Sequence, residues 1–156
     1  MRSCVAIEVR APHSTVAELF ADPLNSPRWM NELDRVEAVS GHLGAQGSKY
    51  RMVSKDGGMD FVATVVLRDL PNELHLRLDG ANVAVYITDR FLAPSGEVTR
   101  LVSEEVFRFE GAIRRLFGVL TRGAIRKAHR RHMQSFKRFA EAHGSRKLDS
   151  GEPLAE

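Results

Sequence analysis

Cysteine is nearly missing from this chain. Its 156 residues include one, Cys4, so no internal disulfide can form and no cysteine-based zinc site can be built. A reducing, cytoplasmic setting is the expectation that follows. No apolar run approaches the roughly 20 residues of a membrane-spanning helix. The opening stretch MRSCVAIEVRAP lacks the apolar core and small-residue cleavage site of a secretory signal. Catalytic and nucleotide motifs are scarce as well, with neither a nucleophile elbow nor an H-E-x-x-H pair present. GHLGAQGSK has three glycines but not the Gly-Lys-Ser/Thr order of a phosphate-binding loop, and it lies between predicted strands. His129 and His132 stand at helical i, i+3 spacing without a second ligand cluster, so no metal and no cofactor are expected.

What is there is ordinary for a globular domain: 43% hydrophobic and 28% charged residues, with a formal net charge of +3. The expectation is one domain over residues 1–143, followed by a disordered tail from 144 to 156. CVAIEVRAP alternates Val5, Ile7 and Val9 against polar or small neighbours, the pattern of a half-buried strand ended by Pro12. HSTVAELFA has helical spacing, and Thr15 with Glu18 could form its capping box. Asp22-Pro23 stops that helix, because the residue before proline is driven out of the α region. A second short helix is predicted from Leu24 to Leu33, carrying the only tryptophan, Trp29.

From Val36 to Phe109 six alternating segments are separated by Gly, Pro, Asn and Asp turns, which predicts an antiparallel meander. The period then changes to that of one long helix, with Ile113, Phe117, Leu120, Ala124, Ala128, His132, Phe136 and Phe139 as its apolar stripe. Gly118 and Gly123 within it either make room beneath the helix or pack closely on the two short helices. A single antiparallel sheet with one long helix must cover its apolar face, so the sheet is expected to curl around that helix.

APHSTVAELFADPLNSPRWM, VSGHLGAQGSKY, VVLRDLPNELHLRL, GEVTRLVSEEVF and MQSFKRFAE occur in an order that resembles the START and Bet v 1-like (SRPBCC) superfamily, in the group of polyketide cyclases and dehydrases. The resemblance implies an α+β helix-grip fold. In it a seven-stranded antiparallel sheet curls around a long C-terminal helix, and two short helices form a V beside the mouth of an internal cavity. Trp29 would close that end of the cavity, or simply pack the helix junction.

The alternating segments supply candidate lining: Tyr50, Met52, Met59, Phe61, Leu74, Leu76, Leu78, Phe107 and Phe109, with Tyr86 from the sixth strand. Phe117, Leu120 and Ala124 are the candidates from the helix, and the cavity is expected to hold roughly 300 to 1,000 Å³. The candidate catalytic groups are Glu105 and Arg90. If Leu101, Phe107 and Phe109 face inward, alternation takes Glu105 with them, while a one-residue bulge would substitute Glu104. The leading function is that of a carrier or sensor of an apolar small molecule (lipid, polyketide or aromatic). A cyclase, aromatase or dehydratase enzyme is the alternative. A second alternative is an interaction module meeting a weakly bound anionic partner through Arg114, Arg115, Arg122, Arg126, Lys127, Arg130, Arg131, Lys137 and Arg138. No exposed aromatics interleave with these basic residues, so no specific nucleic-acid partner is expected.

Overall fold

The computed structural model describes residues 1–58, 60–112 and 121–149. Strand β1 (Arg2–Val9) alternates strictly, burying Ser3, Val5, Ile7 and Val9 and exposing their neighbours. Pro12 then caps helix α1 (His13–Ala21), whose buried face is Val16, Ala17, Phe20 and Ala21. The Thr15–Glu18 capping box does not form; no side chain bonds the cap, and Glu18 turns outward to Arg68 at 2.9 Å. Asp22 is extended, as the following proline requires, and its carboxylate accepts a hydrogen bond from the Leu24 N–H. The expected helix over 24–33 is shorter than the sequence suggested. It divides into a 3-10 turn at Pro23–Asn25 and a one-turn helix α2 (Ser26–Trp29).

The remaining strands are β2 (Leu33–Ser40), β3 (Lys49–Ser54), β4 (Phe61–Asp69), β5 (Glu73–Asp79), β6 (Val83–Leu92) and β7 (Thr99–Phe109). With β1 they form one antiparallel sheet of seven strands in the order β1-β7-β6-β5-β4-β3-β2. The sheet is not strongly curled, which corrects the expected helix-grip arrangement. It is an open sheet whose edges, β1 and β2, do not pair with each other. The physical reason lies in the ladders. From β1 through β7 and β6 to β5 the register runs without a break, while shifts occur only in β2–β3 and between Val65 and Leu67. Bulges are what bend strands sharply, so half of the sheet has no device for curling.

Helix α3 (Thr121–Asp149) has 29 residues and spans roughly 43 Å at the usual rise. It packs on β1 at one edge of the sheet and on α1 and α2. Its buried residues are His129, Met133, Phe136 and Ala140, a face displaced from the predicted stripe. Ala124 and Gly123 are exposed, and a Cβ at Gly123 would meet nothing, so this glycine neither makes room nor packs. The helix runs past residue 143, into the segment expected to be a tail, and residues 150–156 lie outside the described residues, as do Ile113, Phe117, Gly118 and Leu120.

Where α1, α2, α3 and β6 meet, Phe20 is the hub of an aromatic cluster. Its ring lies 5.4 Å from Trp29, 5.6 Å from Phe91 and 4.8 Å from Phe136. The β2–β3 loop closes on this junction through Gly44, whose φ of +84° suits glycine and whose Cβ would approach Pro23 at 3.1 Å.

Candidate ligand cavity

Between α2, α3 and the inner face of the sheet lies a partly open cavity of about 290 Å³. That volume is at the lower edge of the range expected for a small-molecule site. Trp29 walls one end. Tyr50 and Met52 from β3, Phe61 from β4, Leu76 from β5 and Phe107 from β7 also line it, together with Leu74 and Leu78. Helix α3 contributes Ile125, Ala128, His129, His132 and Met133.

Several sequence candidates lie elsewhere. Tyr86 is on the opposite face, 37% exposed, with the guanidinium groups of Arg77 and Arg108 at 5.6 and 5.3 Å from its ring. Arg90 is likewise outward and exposed, 3.4 Å from Glu73, so it cannot meet a cavity ligand. Strand alternation explains both: Val83, Val85, Asp89 and Phe91 are buried, and Tyr86 and Arg90 have the other parity. Phe109 stacks on Phe107 at 6.2 Å but is not part of the lining. Ala124 points to solvent one position from the lining residue Ile125. Met59, Phe117 and Leu120 lie outside the described residues.

The β7 register places Glu105 inward. Leu101 and Ser103 are buried on the same face, and Glu104 points outward to Arg2 at 2.7 Å. The β6–β7 ladder sets Asp89 opposite Ser103 and Ile87 opposite Glu105, so the two carboxyls are diagonal neighbours on one face. Asp89 escaped the sequence reading, although its parity with Val85 and Phe91 marks it. Its side chain is fully buried, and neither oxygen has a hydrogen bond of normal geometry among the described residues. Burial pushes its carboxyl up to about 7; the facing Ser103 hydroxyl opposes this slightly, and the nearby Glu105 charge adds to it. Burial also raises Glu105 to about 7. Tyr50 is raised well above its usual range, by burial first and then by the charge of Asp89.

His129 sits over these strands. Its Nδ1 is 2.8 Å from the Ser3 hydroxyl and 3.7 Å from a Glu105 oxygen. Burial lowers its pKa to about 4, with His132 adding to the effect, so the ring is neutral at physiological pH and the Glu105 contact is not an ion pair. At the mouth His132 bonds to Glu32 in the turn before β2. Burial works against ionisation of Glu32, but its own backbone N–H and His132 outweigh that and hold its pKa low. Thus the two predicted histidines serve separate partners, Ser3 and Glu32. Ser3, Asp89 and His129 were not singled out as site residues from sequence. Serine and histidine on apolar faces become notable only once β1 and α3 meet.

The buried side-chain polar atoms found without a partner among the described residues are Trp29 Nε1, both Asp89 oxygens and His129 Nε2. All belong to residues that line this cavity. No lysine or arginine is among the described lining residues. On the far side of Trp29 a separate groove of about 320 Å³ is lined by Arg28, Asn31, Ser135, Arg138, Phe139 and His143. The predicted basic face of α3 is exposed at Arg122, Arg126, Lys127, Arg130, Arg131 and Arg138, and Lys137 instead lies beside Glu141 at 3.6 Å. Arg114 and Arg115 lie outside the described residues.

The helix laid over an open antiparallel sheet, with an apolar cavity between them, defines an α+β fold with room for a small apolar molecule. Residues 3–141 match the profile of a family described as polyketide cyclase / dehydrase and lipid transport, and the chain belongs to that family. Its fold is that of the START and Bet v 1-like superfamily. A protein of Thermus thermophilus superposes with a TM-score of 0.76 at 18% identity, covering 92% of this chain and 99% of the other. A START superfamily protein from Mycobacterium smegmatis gives 0.70 at 12% identity, covering 93% and 97%. Truncated norcoclaurine synthase from Thalictrum flavum gives 0.66 at 12% identity, covering 89% and 92%. At these identities the likeness is one of fold. A search of curated protein sequences finds no match. Among the described residues no helix is long and apolar enough to cross a membrane.

Proposed function

We propose that this protein binds an apolar small molecule in the cavity between α3 and the sheet, as a carrier or sensor. The observation that carries this reading is the cavity itself: about 290 Å³ walled mostly by aliphatic and aromatic side chains. Burying such a ligand's apolar surface stabilises the complex by about 25 cal/mol per Å² removed from water, less the cost of association. Native mass spectrometry of protein purified without denaturation, alongside titration with an environment-sensitive apolar fluorophore, tests it. A co-purified small molecule displaced by the fluorophore is the expected result. Bare protein that leaves the fluorophore in water would remove the reading.

A second reading, an enzyme of the cyclase or dehydratase kind, is favoured by one observation. Glu105 enters the cavity with a pKa of about 7, the range in which a carboxyl can both give and take a proton. Arg90, the partner considered for it, is on the wrong face. If Glu105 is a general acid or base, Glu105→Gln lowers turnover of an activated carbonyl substrate by about 10² to 10⁴. Full turnover in that variant would leave Glu105 a binding or structural group.

A further inference from the structure

We propose that the ligand of this cavity carries a protonated amine, seated on the carboxyl groups of Asp89 and Glu105. This rests on the ligand-binding reading above and names the chemical class of the ligand. Asp89 is fully buried, and among the described residues neither of its oxygens has a hydrogen bond of normal geometry, although the Ser103 hydroxyl faces it. Glu105 stands diagonally from it across the β6–β7 ladder, and both line the same cavity. A fully buried carboxyl beside one whose side chain is only 16% exposed is costly unless something compensates the pair. No arginine or lysine among the described lining residues does so, and the neutral imidazole of His129 supplies no charge.

A ligand ammonium group supplies what is lacking. It brings the opposite charge and three N–H donors to oxygens that have lone pairs to fill. Trp29 and Phe107 in the same wall suit the apolar body of such a ligand. An anionic ligand would add a like charge to the pair, and a neutral one would leave both carboxyls as they are. Near neutral pH the pair holds about one proton between its two members, since each carboxyl is raised to about 7. Seating the ammonium therefore breaks a carboxyl O–H bond and sends that proton to solvent, while the amine keeps its own. The titratable or polar groups facing the pair are Tyr50 from β3, Ser103 from β7 and His129 from α3, with His132 and Glu32 at the mouth.

The test is a matched series on the full chain by isothermal calorimetry: naphthylmethylamine, naphthylmethanol and naphthoic acid. At neutral pH the amine is expected to bind at least about tenfold more tightly than the alcohol, and the acid more weakly than either. Its heat of binding should differ between buffers of unlike ionisation enthalpy, which reports the released proton. Asp89→Asn should bring the amine to within about threefold of the alcohol. Glu105→Gln, checked by circular dichroism, makes the same comparison should the first variant fail to fold. Equal affinity for amine and alcohol in the wild type overturns the inference and leaves the apolar site standing. A preference that survives in both variants also overturns it. If no member of the series binds, the ligand-site reading falls, and this inference with it.

Discussion

Two spaces of similar volume flank Trp29, about 290 Å³ within and about 320 Å³ without, and their chemistry is opposite. The inner one holds Asp89 and Glu105 and, among its described lining residues, no lysine or arginine. The outer one holds Arg28, Arg138 and His143 and, among its described lining residues, no acid. Yet their charges have different consequences. Arg28 lies over the Phe139 ring at 5.1 Å and Arg138 donates to Ser135 at 3.1 Å, both with their guanidinium groups open to water. Charges so placed cost little and are screened by salt. Asp89 has no water-facing side, and burial carries its pKa up to about 7. Volume alone therefore says little about what a space will hold. The depth of its polar groups and the sign of their charge say much more.

The strongest way to break this comparison is to remove the wall. Trp29 is 7% exposed and packs against Phe20 and Phe136, each at 5.4 Å. Trp29→Ala is expected to destabilise the fold by about 3–5 kcal/mol in urea unfolding. A loss under about 1 kcal/mol would mean that the neighbouring rings close over the gap and the two spaces are not separated by this side chain.

Next comes the inner charge itself. For Asp89 and Glu105 the folded pKa of about 7 lies above the unfolded value, so the folded state holds protons that the unfolded state has released. Their contribution is therefore greatest in acid, declines as pH rises from about 4 to about 7, and is lost above that. His129 works in the other direction. Its folded pKa of about 4 is depressed below 6.5, so stability from this group rises with pH across that window and offsets one of the two carboxyls. The net loss is thus steepest between about pH 6.5 and 7, where only the carboxyls titrate. Asp89→Asn should raise stability above pH 7 by on the order of 2 kcal/mol and leave a smaller pH dependence. A variant no more stable than wild type at high pH would show that the charged Asp89 is compensated. By contrast, neutralising Arg138 in the outer groove should shift stability by no more than about 0.5 kcal/mol at any pH.

A smaller effect than that of Trp29 or Asp89 separates two helix positions one turn apart. Ala128→Leu adds volume to the inner wall and is expected to weaken an apolar fluorophore about tenfold at a stability cost near 1 kcal/mol. Ala124→Leu, four residues earlier on an exposed surface, should change neither. Equal effects at the two positions would place the cavity elsewhere along α3.

How much of this was legible beforehand depended on the period involved. In β7 a two-residue period running through Leu101, Phe107 and Phe109 pointed Glu105 to the inner face. The same rule applied to β6 selects Asp89 and rejects Tyr86 and Arg90; the reading failed there because aromatic and charged character was weighed above parity. In α3 each residue turns by 100°, so a stripe anchored on Ala124 in place of Ile125 drifts off the buried face while still including Phe136. Sheet curl was not legible at all, since alternation continues through a straight strand and a bent one alike. The polar cluster required tertiary contact: Ser3 and His129 mean little until β1 and α3 are brought together.

That same contact orders events during synthesis. Ser3 and His129 are 126 positions apart, and β1 pairs only with β7, starting from Arg2 opposite Val106. At about 5–20 residues per second, a ribosome needs roughly 6 to 25 s to move from Ser3 to His129. Through that interval the nascent β1 has neither its sheet neighbour nor its covering helix, and Val5, Ile7 and Val9 form an apolar row without cover. The pocket is complete only once α3 has been made, and loss of that helix would leave the apolar row of β1 without its cover.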